Sequence, residues 1–115
     1  MKVTNLFSQK AAELSPHILT QGYAGEKLMV THVLVEANAV SQPHSHPHEQ
    51  MMLVMRGELE LTLGEERRVL KAGDVVFIPG NVTHGVTSFA ETELVEVFTP
   101  VRDDLVEKLA SYTDN

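Results

Sequence analysis

Three of the chain's six histidines, His44, His46 and His48, crowd into the segment "PHSHPHEQMMLVMRGE", and Glu49 and Gln50 follow at once. Imidazole nitrogens, an amide oxygen and a carboxylate are ligands for a divalent transition-metal ion. In an extended strand, residues two apart share a face, so His44 and His46 point the same way and Gln50 returns to that face. Glu49 has the opposite parity and ranks below Gln50 as a ligand. One face cannot surround an ion, so a further ligand must come from elsewhere in the chain. His84, beyond the turn "PGNVT", is the candidate. Such a set closes one side of an ion and leaves the front open to water or substrate.

A second group lies near the end of the chain, in "ELVEVFTPVRDD". Leu94, Glu96 and Phe98 share one face of a strand; Val95, Val97 and Thr99 share the other. If the first face lines a barrel lumen, burial raises the pKa of Glu96 and suits it to proton transfer; in solvent it is a solubilising charge. Arg102 either reaches over the barrel mouth to clamp a substrate carboxylate or pairs at the surface with Asp103 or Asp104. His17 and His32 read as structural, His32 lying mid-strand with Val30 and Leu34 on its face. Neither a Gly-x-Ser-x-Gly nucleophile elbow nor a phosphate-cradling glycine loop accompanies these residues.

The elements that must position them repeat with period two from residue 17 onward. Strands are expected at 27–38, 51–55, 58–63, 67–70, 75–79, 84–89 and 93–98, separated by turn signals such as Arg56–Gly57, Ala72–Gly73–Asp74 and Pro79–Gly80–Asn81. Many short strands between regular turns describe an all-β sandwich or barrel. Helical signals are confined to the end, about 100–112, with Thr99 as N-cap, Pro100 at the first helical position, and Val101, Leu105 and Leu109 forming a stripe. Residues 1–16 read as a short helix or a loosely held arm. At 115 residues and 43% hydrophobic content, one domain spanning 1–115 is expected, with its barrel core at about 17–99.

Composition excludes several classes. No cysteine is present, so disulfides, thiolate metal sites and a cysteine nucleophile are out. The net charge of −7 and the lack of any basic cluster beyond Arg67–Arg68 argue against nucleic acid. No apolar run approaches the roughly 20 residues of a membrane span, and no basic-then-apolar leader opens the chain, so a cytoplasmic protein is expected.

"HSHPHEQMMLVMRG" resembles the first cupin motif: His-x-His, three residues, Glu or Gln, six residues, Gly. "GDVVFIPGNVTH" resembles the second, with Asn81 where the general pattern has Gly, and 15 residues (58–72) separate the two, as in small bacterial cupins. The resemblance implies a single-domain cupin β-barrel, a double-stranded jelly roll, holding one divalent ion on His44, His46, Gln50 and His84. It leaves His48 as a rim residue. Zinc, nickel, manganese and iron(II) all accept this set. With a neutral amide from Gln50 in place of a carboxylate, the ion would keep its full +2 charge and be the stronger Lewis acid.

A narrower likeness concerns "VFTPVRDD" together with "HSHPHEQ" and "PGNVTHG", which are similar to the cupins of pectin and alginate breakdown. Those enzymes linearise unsaturated monouronates to the open-chain deoxy keto-uronate. The likeness implies catalytic roles for Glu96, Phe98 and Arg102, an anionic sugar-acid substrate and, from the apolar outer faces of strands such as 51–55, a homodimer. The family's acidic residue is usually Asp; Glu96 is one methylene longer. The same ligands would also serve a dioxygenase or a non-catalytic metal- or sugar-binding barrel.

Overall fold

Short strands with one apolar face must pair and then bury that face against a second sheet. The computed structural model describes residues 1–113, so the last two residues of the expected domain lie outside the described residues. A 3₁₀ turn at Leu6–Ser8 leads into ten strands: β1 (Ala12–Ser15), β2 (Ile18–Ala24), β3 (Met29–Val35), β4 (Val40–His44), β5 (Glu49–Arg56), β6 (Glu58–Leu63), β7 (Glu66–Lys71), β8 (Val75–Ile78), β9 (His84–Ser88) and β10 (Thr92–Thr99). Helix α1 (Asp103–Ser111) follows. The strands form two antiparallel sheets, ordered β1-β2-β3-β10-β5-β8 and β4-β9-β6-β7. This is the expected jelly roll with a C-terminal helix.

The core fills the space between the sheets. Val35, Val54, Leu59 and Ile78 are essentially inaccessible, and each contributes roughly 1.5–3 kcal/mol by leaving water. Strand β5 shows the parity expected of it: Gln50, Met52 and Val54 are buried, while Met51 and Met55 are each 50% exposed. The turns also follow their residues, with Gly57, Gly64, Gly73 and Asn81 all at positive φ.

Strand β2 is not among the strands expected, and three further features differ from the sequence-based expectation. Residues 12–15 of the presumed arm form β1, because β2 offers an edge on which Ala12 pairs with Thr20 and Glu13 with Leu19. The Gln21 amide holds the arm further, donating to the carbonyls of Phe7 and Gln9 at 3.1 and 2.7 Å. The strand expected at 27–38 stops at Val35, since Asn38 turns the chain at φ 64°. Helix α1 begins later than Thr99 implies. Thr99 is still paired to Glu49, and its hydroxyl donates to the Lys27 carbonyl at 2.9 Å, so Arg102 occupies the N-cap position. The helix lies on β2 at Gly22, where an added Cβ would come within 3.0 Å of Leu109 Cδ1.

Candidate active site

His44 is the last residue of β4 and His84 the first of β9, and the two are register partners. Pairing therefore sets one ring beside the other, with centroids 4.5 Å apart. Gly85 permits this approach: a Cβ there would meet the Ser41 carbonyl oxygen at 2.9 Å and Pro43 Cα at 3.3 Å. His46 arrives differently from the shared strand face expected of it. Strand β4 ends at His44, and His46 lies in the loop that carries the chain over to β5 in the other sheet. Convergence comes from this crossing, not from alternation along one strand. The Pro79–Gly80–Asn81 turn shapes the loop from below. The N–H of Asn81 donates to the His46 carbonyl at 2.7 Å, and Gly80 lies so close that a Cβ would sit 2.4 Å from the Pro47 oxygen.

One ligand-capable nitrogen from each of His44, His46 and His84 lies within 4.8 Å of the others. Two tautomers are set by the backbone. Nδ1–H of His44 donates to the Gln42 carbonyl at 3.0 Å and Nδ1–H of His84 to that of Val82 at 2.9 Å, leaving each Nε2 with a free lone pair. Burial, then the positive charge of Arg102 and the neighbouring His84, pushes the His46 imidazole down to about 4. Burial likewise lowers His84, with His44 and Arg102 adding to the effect. Neutral imidazoles are what a metal ion requires. His46 Nε2–H donates to Gln50 Oε1 at 3.1 Å, a separation also close to the ~3 Å between adjacent ligands on an ion bound at about 2.1 Å. His46 Nδ1 is buried with no hydrogen-bond partner among the described residues. The donor set fits a divalent cation. His48 keeps its ring 5.3 Å from that of His46 and outside the converging trio, and Glu49 is exposed.

Gln50 joins this trio to the second group. Its Nε2 donates to the Glu96 carboxylate. Glu96 faces inward on β10 between buried Leu94 and Phe98 and lines a cavity of about 200 Å³ that also touches Gln50, His84, Phe98 and Arg102. Burial pushes its carboxyl up to about 7, against the opposing pull of Arg102 and of the Gln50 amide. Phe98 packs its ring edge-on to His46 at 5.9 Å and lies beneath the Arg102 guanidinium, whose Cζ is 5.2 Å from the ring centroid. Arg102 lines the cavity and also makes the surface pairing with Asp104. Lys108, on α1, is a cavity neighbour that sequence reasoning passed over. Its signal was the three-residue spacing from Leu105, which places both on one helix face. The two remaining histidines are structural in their contacts, His17 pairing with Glu36 at 2.8 Å and His32 with Glu93 at 2.5 Å.

Comparison with known proteins bears on this geometry. The family model described as "Cupin domain" matches residues 31–99. This chain belongs to the cupin family. The cupin is 35% identical over 83 residues to the pectin degradation protein KdgF of Dickeya dadantii, covering 70% of this chain and 76% of the relative. It superposes on KdgF from a Halomonas species with a TM-score of 0.80 at 28% identity, covering 86% of this chain and 93% of that one. An RmlC-like cupin from Shewanella frigidimarina matches with a TM-score of 0.83 at 25% identity, over 89% of this chain and 93% of that one. No helix among the described residues is long and apolar enough to cross a membrane.

Proposed function

We propose that this cupin is a metal-dependent enzyme that linearises an unsaturated monouronate, opening the sugar ring and converting the resulting enol to a ketone. One observation carries the reading. Gln50 and His84 of the ligand set, together with Glu96, Phe98 and Arg102, line one cavity of about 200 Å³, the scale of a single sugar acid, and the nitrogens of His44 and His46 lie within 4.8 Å of that of His84. The likeness to a protein named for pectin degradation supports the substrate class.

Arg102 offers a planar fork of N–H donors for the uronate carboxylate. Glu96 handles the protons. As the carboxylate form it takes the proton of the anomeric hydroxyl while the ring C1–O5 bond breaks, giving the C1 aldehyde and leaving the electron pair on O5 as an enolate. As the acid it returns that proton to C4, and the former ring oxygen becomes the C5 ketone. One proton leaves oxygen and one arrives at carbon, so the reaction is an isomerisation with no co-reactant. A carboxyl near 7 populates both forms at neutral pH. The Gln50 amide steadies the Glu96 carboxylate, which is held on a side chain one methylene longer than the aspartate usual in the similar enzymes. A divalent cation bound by His44, His46, His84 and Gln50 would supply Lewis-acid polarisation of a substrate oxygen. Loss of the ultraviolet absorbance of unsaturated galacturonate, faster than the spontaneous reaction and reduced 10²–10⁴-fold in Glu96→Gln, is the expected outcome. A rate equal to the spontaneous one overturns the proposal.

We also infer that a second copy of the chain covers the outer face of the six-stranded sheet. Tyr23, Val30, Val97, Met51 and Phe77 fall in one cross-strand row there, and four of the five are 40–50% exposed. Apolar patches of this kind on a soluble domain mark association surfaces.

A further inference from the structure

Arg102 is restrained before any ligand arrives. Its Nε–H and Nη2–H donate to Asp104 Oδ1 and Oδ2 at 3.3 and 2.8 Å, a two-point contact between a planar fork and a carboxylate. Phe98 supports the guanidinium from below at 5.2 Å. The Arg102 side chain is 14% exposed and that of Asp104 47%, so the pair straddles the cavity rim, with the cation inside and the carboxylate outside. The backbone ties both residues to one rigid turn. Arg102 is the N-cap residue of α1, its carbonyl accepting from the N–H groups of Leu105 and Val106 at 3.0 and 2.9 Å, and Asp104 stands in the first turn.

The contact with Asp104 occupies part of the guanidinium's donor set. A guanidinium has five N–H groups, and Asp104 engages the edge formed by Nε and Nη2. Both Nη1 hydrogens and the second Nη2 hydrogen have no partner among the described residues, and one hydrogen from each of these nitrogens forms the other edge that binds a carboxylate at two points. An unrestrained arginine turns about several bonds and presents either edge. One clamped along Nε presents only the far edge.

We propose that Asp104 is a positioning residue: it clamps Arg102 over Phe98 so that the Nη1/Nη2 edge faces the carboxylate of a sugar acid in the cavity. This rests on the anionic substrate of the proposed function. Asp104 is 47% exposed, so water screens the pair and its loss costs the fold little; a clamp and a merely structural contact therefore predict different results.

The test uses the metal-loaded full chain and the variants Asp104→Ala, Asp104→Asn and Asp104→Glu. The expected result is a KM for unsaturated galacturonate raised at least about fivefold in the Ala and Asn variants, with kcat within about twofold of wild type and the melting temperature unchanged. Asp104→Glu, which restores the charge on a longer arm, recovers part of the loss. A second readout needs no turnover. The Nε–H resonance of Arg102, assigned among the chain's four arginines by its absence in Arg102→Lys, should exchange slowly in wild type and be lost in Asp104→Ala. An unchanged KM in Asp104→Ala, or an Nε–H resonance that persists there, overturns the clamp. If wild type fails to turn over the uronate, the proposed function falls, and the resonance alone then decides for or against the clamp.

Discussion

Replacing Gly80 by alanine tests whether the second histidine-bearing segment shapes the first. Gly80 is not among the residues at positive φ, so alanine is tolerated by its own backbone and the whole cost lies in a contact. The new Cβ would stand 2.4 Å from the Pro47 oxygen, where real contacts begin at 3.0 Å and relax at 3.4 Å, so the loop must retreat by about 0.6–1.0 Å. The obstructing atom is backbone and cannot rotate away. His46 precedes Pro47 and is fastened to Asn81 by the 2.7 Å hydrogen bond, so the retreat carries its ring out of the trio. A displacement of that size is several times the roughly 0.2 Å latitude of a metal–ligand bond. Zinc affinity, measured by competition with a chromogenic chelator, should fall about 10–100-fold, and urea unfolding should report a loss of about 1–3 kcal/mol. Gly73→Ala is the control. Gly73 sits at φ 93° with nothing within 4 Å of a Cβ, so alanine there costs about 1–3 kcal/mol of backbone strain and should leave zinc affinity alone. Folded Gly80→Ala protein with wild-type affinity, or an equal loss of affinity in Gly73→Ala, would refute the reasoning.

His44→Ala and His84→Ala should each abolish stoichiometric metal in elemental analysis of untagged protein, whereas His48→Ala should retain it; equal loss in all three would mean the ligands are wrongly assigned. Sedimentation should show a dimer that Met51→Lys with Phe77→Lys converts to a folded monomer, and a monomeric wild type would remove the outer-face inference. The Glu93 carboxyl is held below its ordinary 4.5, chiefly by its hydrogen bond to His32 and then by Arg56. A lowered carboxylate stabilises the fold above its unfolded pKa and loses that contribution as pH falls through the folded value. The stability gap between wild type and Glu93→Gln should therefore be full above about pH 4.5 and shrink below it. A gap that stays constant through acid unfolding would contradict this.

Much of the fold was legible because alternation and turn chemistry are local. Strand β6 fell at 58–63 as its pattern indicates, and Gly57, Gly64, Gly73 and Asn81 all took the backbone conformation their residue types favour. What escaped was set by partners. Residues 12–15 became a strand because β2 supplies an edge, and β2 itself was not among the strands expected, its pattern being interrupted at Gly22, which admits Leu109 of α1. Thr99 and Pro100 carry a sound helix-start signal, yet Thr99 stays extended because its neighbour on β5 holds it there.

The candidate site divides the same way. Residue type and spacing by themselves determined that His44, His46, Gln50 and His84 form a chemically sensible donor set, because ligand preference is a property of the side chains. Whether those donors meet was decided only in three dimensions, by the pairing of β4 with β9 and by the crossing of the chain from one sheet to the other. The parity of Glu96 was readable from the sequence, but a carboxyl near 7 requires desolvation, and desolvation depends on which strands and which helix close around it.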